Sequence, residues 1–324
     1  MAVPRAFHLL RPDVDWRKAA IAQLAAVTPL EVNKNYRGNT SVLLRIAKER
    51  KNGFKDEDGV SSGDGGAGGG GGDVGGGGMQ QQQVRHVQID CGKTWREGVI
   101  RWFPRHGVPG IDGIILTHDH ADAMLGLDDV RSIQAPRKER ASTPVFVSPQ
   151  TDRSVRRVFP YLVRREDDNG KGGRYVAALK FNAFRDFEPF EVGGLEVTPF
   201  PVLHGEDYIS HGFLFGPEGN KVCYISDVSR VPPESMEFLR RQGPMQLLVC
   251  DALTRSQKHP THFSIEDSVV LAGQLKARRT LLVGLGSDIE YHETNASLAS
   301  REEASAEMPH VRLAYDGLAV DVDL

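Results

Sequence analysis

The sequence contains few cysteines, and none of them has the spacing of a cysteine-rich structural zinc site. Cys91, Cys223 and Cys250 are the three cysteines of the 324 residues, and no Cys-x-x-Cys pair occurs. All three lie in or beside apolar, strand-like runs. This placement predicts buried, reduced thiols and an intracellular protein.

The sequence also lacks a strong charge of either sign and long apolar runs. Its 40 basic and 43 acidic residues give a formal net charge of -3, which offers no basic surface for long nucleic acids or anionic membranes. No apolar run is long enough to cross a bilayer, and the N-terminus has no continuous apolar core like that of a secretory signal. We therefore predict a cytoplasmic protein. Four basic residues within the first 18 leave an organelle transit peptide open, although Asp13 and Asp15 argue against it.

Glycine is abundant, and 14 of the 35 glycines fall in one stretch. Residues 48–83 are charged at first, then almost pure glycine, and end in four glutamines. Such a segment cannot offset its ordering entropy by apolar burial, so we predict disorder. Because strand-like sequences at 41–46 and 86–89 flank it, we interpret it as an insertion between neighbouring strands. The predicted organisation is an N-terminal segment, 1–38, with one amphipathic pattern at 16–26, followed by one domain, 39–324.

Short strand-like runs recur through the rest of the chain, with helical patterns between some of them. The clearest helix spans residues 265–276, with Ser264 as N-cap and Asp267 at the third helical position. Strands are predicted at 145–147, 195–197, 212–215, 221–225, 247–250, 280–283, 311–314 and 318–322, and a surface loop at 164–174. A further strand-like run at 197–203 precedes His204. This succession predicts two β-sheets packed face to face with helices outside.

Residues with metal-binding side chains gather in the middle of the sequence. An apolar run at 114–116 ends at Thr117, and His118, His120 and Asp122 follow; the apolar spacing from 126 to 133 then fits one face of a helix. A buried strand, a polar turn and a helix would bring the three side chains together at a strand's C-terminal end. Imidazole and carboxylate ligands suit zinc or a similar divalent ion.

Other polar residues follow predicted strands elsewhere in the chain. Asp90, His204, Asp227 and Asp251 each come directly after an apolar, strand-like run. Any one of these residues alone is weak evidence for a ligand, because polar residues at strand ends often only cap the sheet. Together they predict ligands that distant parts of the chain bring to one edge of the sandwich.

Several motifs of this sequence resemble those of one known family. Residues 117–122, Thr-His-Asp-His-Ala-Asp, resemble the His-x-His-x-Asp-His signature of the metallo-β-lactamase superfamily. Segments at 89–92, 201–208, 224–229 and 314–318 resemble its other motifs in order, and the similarity covers roughly residues 39–324. Within that family, the sequence resembles eukaryotic hydrolases that are similar to the bacterial cyclic-phosphate phosphodiesterase of phosphonate breakdown. The resemblance implies an α+β fold, a four-layer αββα sandwich with metals at the mouth between the sheets.

The resemblance also implies a set of metal ligands. His118, His120 and His204 would hold the first ion. Asp227 would bridge two ions, and Asp122 would bind the second.

The same resemblance implies that two residues act in catalysis. Asp122 would orient the attacking water, and His262 matches a histidine that contacts the substrate phosphate or protonates the leaving oxygen. The alternative for His262, a neighbour of a helix cap without a chemical role, stays open. We interpret Asp90 and Asp251 as residues that orient histidines rather than bind metal.

Two positions depart from the family pattern. Ala123 stands where the signature ends in histidine, and Ser287 stands where the family usually has a metal-binding histidine. Asp288 or His292 could replace that ligand, or could equally belong to a solvated turn. We therefore predict one tightly bound Zn²⁺ or Mn²⁺ ion and leave a second ion open.

These residues predict a metal-dependent hydrolase. A zinc ion lowers the pKa of bound water to about 7, so hydroxide is available at neutral pH. The predicted substrate is a small phosphodiester, which could be cyclic, and not a nucleic acid. Two alternatives stay open: a thioesterase or lactonase of the same fold, and a degenerate, non-catalytic metal-binding module. The sequence leaves the oligomeric state open, a homodimer included.

Overall fold

The structure is a computed structural model that describes residues 33–47, 84–134, 141–163 and 176–323. The amphipathic pattern at 16–26, the insertion at 48–83 and the loop at 164–174 lie outside the described residues. Residues 33–38 pack onto the following domain, because the Arg37 guanidinium donates to the carbonyls of Gly286, at 2.6 Å, and Ile289, at 2.7 Å. The boundary at residue 38 stays a prediction.

Two β-sheets form the framework of the described part of the chain. The first sheet, in the order β1-β2-β3-β4-β5, contains β1 Val42–Ala47, β2 Val84–Ile89, β3 Gly113–Ile115, β4 Thr143–Val147 and β5 Leu179–Ala183. The second sheet, in the order β12-β11-β10-β9-β8-β7-β6, contains β6 Phe190–Val192, β7 Leu195–Leu203, β8 Ile209–Phe215, β9 Lys221–Ile225, β10 Met245–Asp251, β11 Arg279–Val283 and β12 Val311–Leu313. Strands β2 to β5 are parallel, as are β9 to β12, so their carboxyl ends share an edge in each sheet.

Helices cover the outer face of each sheet. The helices are α1 Trp95–Trp102, α2 Ala121–Met124, α3 Pro149–Val158, α4 Pro233–Arg241, α5 Ile265–Gln274 and α6 Tyr291–Ala304, with a 3₁₀ helix at Leu127–Ile133. Val99 of α1 and Val155 of α3 lie in one buried cluster with Val145 of the first sheet. Leu239, Val269 and Leu298, from α4, α5 and α6, pack with the second sheet. No helix in the described residues is long and apolar enough to cross a membrane.

Strand β9 shows how alternation along a strand builds the layers. Val222 and Tyr224 lie in the core between the two sheets, whereas Cys223 and Ile225 lie in the core under the outer helices. The prediction of a four-layer αββα sandwich is therefore confirmed. The three cysteines are buried and free, as predicted.

Two predicted elements differ from the structure. The residues from 127 to 133 form a 3₁₀ helix, although Leu127 and Val130 are buried as the helical pattern required. The predicted strand at 318–322 is not a strand. Val320 and Val322 of this segment pack against the core between the sheets. The alternating apolar pattern therefore reflects the burial of these side chains, and the segment pairs with no neighbouring strand among the described residues.

The start of α5 agrees with the sequence in detail. Ser264 Oγ accepts a hydrogen bond from the Asp267 N–H, and the Asp267 carboxylate accepts one from the Ser264 N–H, which forms a capping box. We expect Ser264→Ala to lower the free energy of unfolding by about 1–2 kcal/mol, because the Asp267 N–H loses its acceptor and the Asp267 carboxylate loses the hydroxyl donor. Urea denaturation measures this. The exposed Ser256→Ala is the control, with an expected change within about 0.5 kcal/mol.

Candidate metal centre

Three histidines converge at the mouth between the two sheets. His118 and His120 follow β3, and His204 follows β7 of the other sheet. One ring nitrogen from each lies within 4.8 Å of the others. The ring centroids are 4.6 Å apart for His118 and His120, 5.4 Å for His118 and His204, and 5.0 Å for His120 and His204. Residues more than 80 positions apart thus form one cluster of imidazoles, called here the histidine cluster.

His118 is oriented by its neighbour Thr117. The Thr117 hydroxyl lies 2.8 Å from His118 Nδ1 and 2.9 Å from a carboxylate oxygen of Asp90. The other ring nitrogen, His118 Nε2, is buried and has no hydrogen-bond partner among the described residues. An unpaired buried polar atom costs about 1–3 kcal/mol, and a divalent ion among three imidazoles would satisfy it. The donor set therefore fits a metal ion.

His204 is held in the tautomer that binds metal. Its Nδ1 lies 2.7 Å from the Thr261 carbonyl oxygen, which can only accept, so Nδ1 carries the proton and Nε2 keeps its lone pair. Burial lowers the pKa of His204 to about 4 despite the nearby Asp227 carboxylate, so the ring is neutral at pH 7. His204 Nε2 lies 3.9 Å from Asp227 Oδ1, which brings the fourth predicted ligand of the first ion beside the histidine cluster.

A second group shares His204. Ligand atoms of His204, Asp227 and His262 lie within 4.8 Å of one another. His262 is buried, and its Nδ1 lies 2.7 Å from Asp251 Oδ2. The His262 ring therefore faces the candidate centre, and the Asp251 carboxylate orients it. The His262 backbone lies just before the start of α5.

The other expected ligands of a second ion are placed differently. Asp122 lines a small pocket together with Asp227 and His262, but it belongs to neither group of converging ligand atoms. Asp288 and His292 also belong to neither group among the described residues. The structure thus brings His118, His120 and His204 together with Asp227 beside them, and it brings Asp122, Asp288 and His292 into neither group.

The backbone is unusual at two of the acidic residues. Asp90 and Asp227 have φ values of 60° and 50°, in the left-handed region that non-glycine residues rarely adopt. Burial by itself raises the pKa of Asp227, but the nearby His118, His262 and His204 hold it below its usual value. Burial also raises the pKa of Asp90 well above its usual value. Strained backbone of this kind clusters at functional sites.

Sequence reasoning missed the contribution of Asp119 and Tyr208. The Tyr208 hydroxyl donates to the Asp119 carboxylate, and the Tyr208 ring stacks on His120 with centroids 4.5 Å apart. Burial and this hydrogen bond raise the pKa of Tyr208, so the hydroxyl stays protonated at neutral pH. Both residues lie inside the quoted motifs, but nothing in their spacing predicts that they meet.

Gly92 allows the loop after β2 to approach α2. A Cβ atom at Gly92 would lie 1.7 Å from the Asp122 carbonyl oxygen, and the Cys91 N–H donates to the Ala123 carbonyl at 2.6 Å. We expect Gly92→Ala to displace Asp122 and to lower the free energy of unfolding by about 1–3 kcal/mol.

Urea denaturation of the metal-free protein tests the expectation for Gly92, and Gly98→Ala is the matched control. Gly98 lies in α1, and no described atom lies within 4 Å of an added Cβ. The control should stabilise the protein by up to about 1 kcal/mol, because alanine favours helix more than glycine does. Equal effects of the two substitutions would show that the approach to α2 is not tight.

Comparisons with known proteins concern the family and the fold. Residues 85–284, more than half of the chain, match the family described as beta-lactamase superfamily domain. A crystal structure of a new diphosphatase from the PhnP family is similar, with 32% identity and a TM-score of 0.59 over 74% of this chain and 81% of that chain. The expected place among eukaryotic hydrolases stays a prediction.

Two curated proteins are also similar over part of their length. An octanoyltransferase of Porphyromonas gingivalis is 26% identical over 239 residues, which are 74% of this chain and 43% of that protein. A ribonuclease Z of Bradyrhizobium diazoefficiens is 28% identical over 131 residues, which are 40% of each. The chain spans less than half the length of these two relatives.

Proposed function

Because the chain belongs to the metallo-β-lactamase superfamily of hydrolases, we propose that it is a metal-dependent phosphodiesterase acting on a small phosphodiester, cyclic or open. One observation carries the proposal: three histidine rings converge, and the buried Nε2 of His118 has no partner among the described residues. This arrangement supports a centre with donors for one divalent ion.

His118, His120 and His204 would hold this ion, with Asp227 beside them. Zinc and manganese both accept such nitrogen and oxygen ligands, and imidazole favours zinc. When bound, the ion acts as a Lewis acid towards a phosphoryl oxygen and lowers the pKa of a water molecule.

The residues around the ion have separate tasks in this proposal. Asp122 faces the pocket and orients the attacking water. Asp251 holds His262 Nδ1, so the remaining ring nitrogen of His262 is directed at a phosphoryl oxygen or protonates the leaving oxygen. Proton transfer by a positioned side chain is worth about 10²- to 10⁴-fold in rate.

The similarity to a PhnP-family diphosphatase supports a phosphoryl substrate. The similarity to an octanoyltransferase favours an acyl substrate instead, and it keeps thioester or lactone hydrolysis as the second candidate. The net charge of -3 disfavours a long nucleic acid, despite the partial similarity to a ribonuclease Z.

Parallel assays of the metal-loaded protein separate these candidates. We expect hydrolysis of bis(p-nitrophenyl) phosphate and little turnover of an acyl thioester or a lactone. Turnover of the acyl substrates alone would favour the second candidate. A metal-loaded protein that turns over none of these substrates would be a binding module, and the proposed activity would be wrong.

Metal content per chain tests the number of ions. We expect one tightly bound equivalent after purification and dialysis, because the second position lacks the family's histidine at Ser287. Elemental analysis by mass spectrometry, normalised to protein concentration, measures it. Two tight equivalents would contradict the expectation and would point to His262 as the side chain that completes the second position.

A further inference from the structure

The three rings of the histidine cluster are oriented by different means. A hydrogen bond at Nδ1 fixes His118 through Thr117 and fixes His204 through the Thr261 carbonyl. Within the described part of the chain, no hydrogen bond reaches the His120 ring, and His120 is also the exposed member of the cluster. Metal-binding histidines almost always have an outer partner that sets the direction of the ring. His120 therefore needs another one.

The Tyr208 ring occupies the place of that partner. It lies parallel to His120, with an interplanar angle of 19° and centroids 4.5 Å apart. It meets the other two rings of the cluster edge to face, with centroids 6.0 Å from His118 and 5.9 Å from His204. Offset stacking of two aromatic rings contributes about 0.5–1.5 kcal/mol beyond area burial and restricts both rings.

Tyr208 is itself held at both ends. Its hydroxyl donates to Asp119 and accepts the Asp119 N–H at 3.3 Å, and Ser154 of α3 donates to the same carboxylate. Its carbonyl accepts the His204 N–H at 2.8 Å, across a loop in which Gly205 has a φ of 107°. Because Asp119 lies between His118 and His120, Tyr208 connects the loop after β7 to the turn after β3.

We propose that Tyr208 is a positioning residue that directs His120 at the ion by ring stacking, as hydrogen bonds direct His118 and His204. This inference rests on the ligand set of the proposed function. The stack fixes the plane of the imidazole, and the hydrogen bonds with Asp119 fix the position of the stack.

Metal affinity, measured by competition with a chromophoric chelator on the full chain, tests the inference. Tyr208→Leu should weaken binding of Zn²⁺ about 10- to 100-fold, the usual cost of losing an outer partner. Tyr208→Phe keeps the ring and loses only the hydrogen bonds, so its loss should be smaller. Tyr161→Leu removes a tyrosine whose described ring contact is with Phe159, and it should leave the affinity unchanged.

A double-mutant cycle separates positioning from a general structural role. In a His120→Ala background, Tyr208→Leu should have no further effect on Zn²⁺ affinity. An equal loss in both backgrounds, or no loss in either, would overturn the inference. If His120→Ala itself leaves the affinity unchanged, the proposed ligand set is wrong rather than the stacking alone. Circular dichroism checks folding; if the leucine variant is unfolded, Tyr208→Met tests the loss of the ring in its place.

Discussion

Replacement of His118 by alanine is expected to abolish phosphodiester hydrolysis and to reduce tightly bound metal to well below one equivalent per chain. His118 contributes a buried nitrogen, Nε2, that has no other partner among the described residues, and Thr117 fixes its direction. The loss in kcat/KM should exceed about 100-fold, the upper end of what removal of an outer partner costs. Steady-state hydrolysis of bis(p-nitrophenyl) phosphate and elemental analysis of the same sample measure both effects.

His292→Ala is the matched control for this substitution. His292 is exposed at the start of α6 and belongs to neither group of converging ligand atoms. The control should keep both metal and activity. Loss of metal in His292→Ala would show that this residue replaces the missing histidine at Ser287, and an active His118→Ala protein with a full metal equivalent would refute the histidine cluster as the metal site.

Asp227→Asn is expected to lower kcat/KM by more than about 100-fold while leaving the fold intact. The Asp227 carboxylate lies 3.9 Å from His204, the residue that both groups share, and belongs to the second group together with His262. Asparagine keeps the shape and removes the negative charge that balances a divalent ion. The same substitution should weaken Zn²⁺ binding, as measured by chelator competition.

Asp186→Asn provides the comparison for Asp227. The Asp186 carboxylate is half-exposed and lies 3.0 Å from the buried His211, outside both groups of ligand atoms. Its loss should leave Zn²⁺ affinity and kcat/KM unchanged. If Asp227→Asn retains wild-type Zn²⁺ affinity and rate, the carboxylate does not take part in the centre.

Local features of this protein could be predicted from the sequence because each depends on residues that are close along the chain. The turn after β3 places His118 and His120 two residues apart, and the capping box depends on Ser264 and Asp267, three residues apart. The alternation of side chains along β9 is enough to assign one face of the strand to the core between the sheets and the other face to the core under the outer helices. Where the pattern lacked a pairing partner, at residues 318–322, the same reasoning predicted a strand that does not form.

The contacts between distant segments at the centre could not be predicted from local sequence in the same way. The positions of His204 and Asp227 after strand-like runs predicted that they gather at one edge of the sandwich, and the resemblance to a family assigned them to the same ion as His118. The roles of these residues stay proposals. The sequence by itself determined which side chains could bind a metal, the alternation of buried faces and the local turns. The tertiary structure alone decided that His262 turns towards Asp251 and Asp227, and that Tyr208 stacks on His120. These contacts depend on how two sheets pack and how their loops meet, and a packing of distant segments leaves no periodic signal along the chain.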